Sequence, residues 1–152
     1  MPVTVDIRDA APSAVGFGSG ARGGDARSTP LPHNVAVRIM RVRSSGRKPN
    51  PGEIFVGSVE SQDPLGEAST LFRMTEITFS DGARNKLHVH ETDQLLLVTA
   101  GLGIVATEQV EHEIASGDLA LIPAGERHWH GARPGQNMTH WSILGPGKTA
   151  IV

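Results

Sequence analysis

The chain has 152 residues with no Cys and no Tyr, 18 Gly, 10 Pro and only six aromatic side chains, four Phe and two Trp. That length suits a single domain with its own core. The missing Cys excludes disulfides, thiolate metal sites and cysteine nucleophiles, and the Gly/Pro content favours a turn-rich β protein over a helical bundle. The formal net charge of −2 conceals an asymmetry, because residues 1–50 carry eight Lys/Arg against three Asp/Glu and residues 51–152 carry six against thirteen.

The basic stretch Arg38, Arg41, Arg43, Arg47 and Lys48 has the charge of a nucleic-acid arm, but no aromatic is interleaved with it for base stacking and the rest of the chain is acidic. Solvated or subunit-docking charge is the expected role, with no nucleic-acid partner. The N-terminal stretch places Asp6, Arg8 and Asp9 where a signal peptide needs an apolar run. No segment reaches the roughly 18 apolar residues of a membrane helix. A cytoplasmic protein without a membrane partner is the expectation.

In chain order, residues 10–30 are small, polar and Gly-rich, too poor in apolar area to offset the entropy of ordering. Val35, Val37 and Ile39 then alternate with Ala36 and Arg38, the period of a half-buried strand suited to a sheet edge, before Pro49–Asn50–Pro51–Gly52 interrupts the chain. Residues 1–50 are accordingly assigned to a leader with a possible edge strand, and residues 51–152 to one β-barrel domain.

From Glu53 onward short β segments alternate with turn signals. Ile54–Val59 and Leu71–Phe79 come first, and Ser80–Asp81–Gly82 is read as a turn. Lys86–His90, Gln94–Thr99, Leu102–Glu108, Leu119–Ile122, Arg127–His130 and Met138–Leu144 follow, with Gly101 and Gly117–Asp118 among the connections. Glu111–His112–Glu113 reads as an acidic hairpin, with His112 on the surface, as is His33 in the leader. Eight or nine strands at this spacing predict an all-β sandwich or a closed jelly-roll barrel.

Within that pattern lie two spaced clusters, Gly82-x5-His88-Val89-His90-x3-Gln94-x6-Gly101 and Gly117-x5-Pro123-x-Gly125-x2-His128. His88 and His90 are two apart in a strand, so they share a face and can present two imidazoles to one ion. Gln94 can reach back from the neighbouring strand, and His128 comes from a strand paired later. His130 follows His128 on the same face. Trp129 and Trp141 are out of phase with their neighbouring histidines and are expected to face away from the site. Leu71, Ile77, Leu96 and Ile143 are expected on the inward face, making an apolar cavity fit for a small substrate with one oxygen donor.

In spacing, with turn glycines Gly82, Gly101, Gly117 and Gly125 and with Pro123, the two clusters resemble the signature motifs of the cupin superfamily, over about residues 70–145. Two departures stand out: Gln94 takes the place of the family's usual glutamate, and Ala132 that of an asparagine that often ends the second motif. Gln94, the stretch Ile122–Ala132 and the stretch Met138–Ile143 more particularly resemble small bacterial cupins that include manganese-dependent hydroxynitrile lyases. The resemblance implies a jelly-roll fold, a metal held by His88, His90, Gln94 and His128, and His140 as general base. It leaves His130 as a cavity-lining or ligand-orienting residue, and His140 could equally be a satisfied core histidine. A shell of three His and one Gln is neutral, so a divalent ion would keep its full charge. Mn is the expected metal, with Fe, Ni, Co or Zn compatible with imidazole and amide oxygen.

The activity implied is a lyase reaction on a small hydroxylated or carbonyl compound. An Fe(II)-dependent dioxygenase and a non-catalytic small-molecule-binding cupin are the alternatives. A homodimer or larger homo-oligomer is expected from the resemblance and from the sheet edges of a short jelly roll.

Overall fold

The computed structural model describes residues 37–152, of which Arg38–Val152 form one compact unit. Ten strands make up nearly all its regular structure: β1 (Lys48–Pro49), β2 (Phe55–Gln62), β3 (Arg73–Asn85), β4 (His88–His90), β5 (Gln94–Thr107), β6 (Glu111–Ala115), β7 (Leu119–Ile122), β8 (His128–Ala132), β9 (Met138–Leu144) and β10 (Thr149–Ile151). The helical turns among the described residues are two short 3-10 segments, Ser44–Gly46 and Gly66–Ala68. None of these helices is long and apolar enough to cross a membrane.

Every strand pairing is antiparallel, in the order β1-β2-β3-β9-β5-β8-β4-β10, with β6 and β7 added to β5. The long β5 belongs to both halves of the barrel. Its first half pairs with β9 on one side and β7 on the other; its second half pairs with β8 and β6. β3 likewise reaches from β9 to β8, meeting the latter at Arg84↔Gly131. The fold is the all-β, jelly-roll barrel that the segment spacing predicts.

Side-chain alternation sets the inside. In β3 the residues Ile77 and Phe79 point inward, and they pair with His140 and Met138 of β9. The apolar core comprises Val59, Ile77, Phe79, Ala83, Val98, Ile114, Ala132 and Met138, with Phe55 and Val105 packed against it. Phe79 is fully buried and its ring meets three others: Phe55 at 6.0 Å, His130 at 5.8 Å and, in a parallel stack, His140 at 5.5 Å. The hydrophobic core therefore continues directly into the histidines.

Several local expectations are corrected. Ser80–Asp81–Gly82 does not end a strand; β3 runs through it to Asn85, and the β2–β3 register shifts between Val56↔Arg84 and Ser58↔Ser80. Asp81 and Gly82 take positive φ (50° and 76°) because β3 carries extra residues in a bulge there. Gly101 is likewise no connection. It lies inside the continuous β5 at φ 81°, beside a bulge at Val98/Ala100, and a Cβ on it would collide with the Asn137 carbonyl. A positive-φ glycine in a β run fits a turn or a bulge equally well from sequence, and only the partner strand decides.

Glu111–Glu113 open strand β6 rather than a bare hairpin, and β10 was not anticipated. Val37 and Ile39 form no strand and are 92% and 93% exposed; Val35 lies outside the described residues. Leu71 precedes β3 and is 76% exposed, so it lines no cavity. Ile143 shares the outward face with Trp141, because His140, Ser142 and Leu144 take the inward positions. Ile77 is buried and lines the cavity as expected, whereas Leu96 is buried but is not among its walls.

The chain before β2 is pinned by charge. Arg47 donates from Nε (2.9 Å) and Nη2 (3.0 Å) to the two carboxylate oxygens of Glu76, which also accepts from Gln62. The two guanidinium bonds lower the Glu76 pKa against the opposing effect of burial.

Candidate metal centre

Two strands deliver three imidazoles to one point. β4 supplies His88 and His90 on its inward face; β8 supplies His128, paired directly opposite His88. All three rings are buried, and one nitrogen from each lies within 4.8 Å of the other two. Each is held by its Nδ1: His88 to the Lys86 carbonyl at 2.8 Å, His128 to the Glu126 carbonyl at 2.9 Å, and His90 to Thr149 Oγ1 at 2.8 Å.

A carbonyl can only accept, so Nδ1 of His88 and His128 carries the proton and Nε2 presents a bare lone pair. Nε2 of His88 and His90 is buried without any hydrogen-bond partner. Orphaned, converging lone pairs on oriented imidazoles are the arrangement a metal ion needs.

Gln94, at the start of β5, completes the cluster in position. Its Nε2 donates to Ser142 Oγ at 2.8 Å, which directs Oε1 to within 2.9 Å of His128 Nε2. Two acceptors then face each other in a buried site. A proton on His128 Nε2 or a metal ion against both would relieve that approach, and with Nε2 of His88 and His90 orphaned beside it the donor set fits a metal.

Electrostatics agree with that fit. Burial, followed by repulsion from His128, pushes the pKa of both His88 and His90 down to about 4, and burial also lowers His128. The rings are therefore neutral at neutral pH, the state in which imidazole ligates. With no carboxylate among these four residues, the cluster supplies no charge of its own.

Behind the cluster lie the remaining inward histidines. His130 is fully buried, its Nε2 accepting from Asn85 Nδ2 at 3.2 Å, and its ring edge meets His140 at 4.9 Å. His140 is also fully buried, stacked on Phe79, and neither of its ring nitrogens has a partner. Burial pushes His140 down to about 4 and, with repulsion from His140 and the other three histidines, takes His130 well below its ordinary value.

Trp129, partly exposed, faces away and lies under the Arg84 guanidinium at 5.1 Å. His112 stands on exposed β6; His33 lies outside the described residues.

The cluster opens into a cavity of about 540 Å³. Its walls include His88, His90, Gln94 and His130, the polar Thr75, Asn85, Ser142 and Thr149, and the apolar Ile54, Phe55, Ile77, Leu144 and Ile151. Ser142, Thr149 and Asn85 escaped sequence reasoning as site residues. Ser142 follows His140 by two on one strand face, which could have flagged it; nothing in the sequence around Thr149 could have done so.

A β-barrel whose mouth gathers three imidazoles from a His-x-His strand and a later strand is the architecture of the cupins. The sequence pattern of the Cupin domain matches residues 75–144, and this chain belongs to the cupin superfamily. Among curated proteins it is 40% identical over 110 residues to an (R)-mandelonitrile lyase of Granulicella tundricola, covering 70% of this chain and 83% of that protein. Among solved structures it resembles a cupin-like protein from Thermotoga maritima (TM-score 0.64, 25% identity, covering 68% of this chain and 83% of that one). The polyketide cyclase RemF from Streptomyces resistomycificus shares the fold (TM-score 0.63, 18% identity, 76% and 87% covered).

Proposed function

We propose that the protein is a metal-dependent lyase that cleaves small cyanohydrins to a carbonyl compound and cyanide, or joins them in reverse, with Mn as the resident metal. The reading is carried by the buried facing acceptors Gln94 Oε1 and His128 Nε2 beside the orphaned His88 and His90 nitrogens. The similarity to an (R)-mandelonitrile lyase supports the choice of reaction.

His88, His90, Gln94 and His128 would hold the ion, and when bound it supplies Lewis acidity that lowers the pKa of a substrate hydroxyl. The protein's own residues divide the rest. Nδ1 hydrogen bonds with the Lys86 and Glu126 carbonyls and the Thr149 hydroxyl fix the imidazoles before substrate arrives, and Ser142 fixes the amide of Gln94. The apolar wall formed by Phe55, Ile77 and Leu144 takes the hydrocarbon part of the substrate and excludes water.

The two inner histidines take different roles. Asn85 donates to Nε2 of His130, which occupies that lone pair and leaves Nδ1–H as a donor without a protein partner. His140, fully buried behind the cavity wall with its ring 4.9 Å from that of the cavity-lining His130, keeps an open lone pair and stays neutral above about pH 4. His140 accepts the hydroxyl proton as the carbon–carbon bond breaks; the bonding electrons leave with cyanide, the carbonyl forms, and the proton returns to cyanide.

The test is release of benzaldehyde and cyanide from mandelonitrile by Mn-loaded protein. His140→Ala should lose turnover while keeping its metal. Full activity in that variant, or oxygen uptake with an iron-loaded protein in place of cyanide release, would overturn the reading.

A further inference from the structure

Arg73 opens β3 and stands on its inward face, paired with Leu144 and two residues from Thr75, which pairs with Ser142, the residue holding Gln94. Among the described residues it is the one Lys or Arg on the cavity lining, and Glu53, in the turn before β2, is the one carboxylate. Among the described residues the ion pairs join Arg47 to Glu76, Arg127 to Glu108 and Arg133 to Glu113, and Arg73 enters none of them. Arg73 is exposed where it joins the lining, so its fork of donors is open to solvent.

The donor cluster at the cavity floor is neutral, so an ion there adds positive charge that no ligating carboxylate offsets. A cavity with a cationic floor and a free guanidinium on its wall attracts anions.

We propose that Arg73 is an anion-recognition residue of this cavity and that the site takes small 2-hydroxy carboxylates, with the carboxylate on the guanidinium and the hydroxyl toward the His88–His90–His128 cluster. This rests on the cavity being the substrate site but not on cyanohydrin cleavage. A planar guanidinium matches a carboxylate with two parallel N–H···O bonds, a match that a nitrile or amide cannot reproduce.

The experiment is calorimetric titration of the metal-loaded protein with mandelate and with mandelamide, its neutral counterpart. Mandelate should bind about tenfold or more tighter than mandelamide, as a charge-assisted bidentate contact implies. Arg73→Gln should remove most of that preference with mandelamide binding and thermal stability unchanged, and Arg73→Lys should keep part of it. Glu53→Gln should strengthen mandelate binding. Mandelate binding of wild-type strength in Arg73→Gln would overturn the proposal. Arg73-dependent mandelate binding in a protein that never cleaves mandelonitrile would uphold it and dismiss the cyanohydrin reading.

Discussion

His140 is costly to the fold, and the cost can be measured. Its ring is fully buried, stacked on Phe79, with neither nitrogen hydrogen-bonded. An unsatisfied buried polar group costs about 1–3 kcal/mol, whereas a near-isosteric apolar replacement in a core usually costs under about 1.5 kcal/mol. His140→Leu is therefore expected to match or exceed the wild type in stability near neutral pH. A gain of about 1 kcal/mol would raise the melting temperature by roughly 4 °C.

The second signature is pH dependence. Burial pushes the His140 pKa from 6.5 to about 4, so between those values the unfolded chain binds a proton that the folded protein refuses. Unfolded protein then binds more protons, stability rises with pH across the window, and it is lost as pH falls. Above 6.5 both states are neutral and the term vanishes. The shift corresponds to roughly 3 kcal/mol when complete and to about 2.5 kcal/mol at about pH 4.5. Urea unfolding of chelator-treated protein at about pH 7.5 and pH 4.5 should show wild type losing that much more than His140→Leu. A variant that unfolds as easily as an ordinary core truncation at neutral pH, with an unchanged acid slope, would refute the reasoning and make His140 a packed structural residue.

Chelation should lower the melting temperature and added Mn restore it, because ligands bound only to the folded state stabilise it; a melt indifferent to chelator contradicts this. Ser142→Ala frees the Gln94 amide that it anchors at 2.8 Å and should weaken metal binding about 10–100-fold, read by competition with a chromophoric chelator; unchanged affinity would dismiss the anchoring role. Arg47→Ala strands the largely buried Glu76 carboxylate and should cost about 1–3 kcal/mol, seen by urea unfolding, whereas Arg47→Met with Glu76→Leu should recover much of it. A homo-oligomer is expected in sedimentation; Leu119→Lys with Leu121→Lys, on the outer face of β7 and 60% and 64% exposed, should shift it toward the 16.1 kDa chain. A wild-type species of that mass refutes the expectation.

The strands were legible where alternation was strong. Met138–Leu144 and Leu119–Ile122 appear with the bounds their sequence pattern implies, and the inward phase of His88, His90, Ile77 and Leu96 follows from a period of two. Bulges were not legible, since Gly82 and Gly101 carry the same signal as turns. Nor was β10, a three-residue exposed strand with no periodicity, yet it supplies Thr149 to His90. His130 and His140 were visible as inward residues; that one has a lone pair taken by Asn85 and the other has none taken depends on long-range packing that no local pattern encodes.

The most direct measurement is metal content by elemental analysis of protein from metal-replete cells, for wild type and for His128→Ala, which removes one of the three imidazoles while leaving Gln94. The account predicts close to one divalent transition-metal ion per wild-type chain and little in the variant. Metal-free wild type, or an ion retained equally in both, would contradict it.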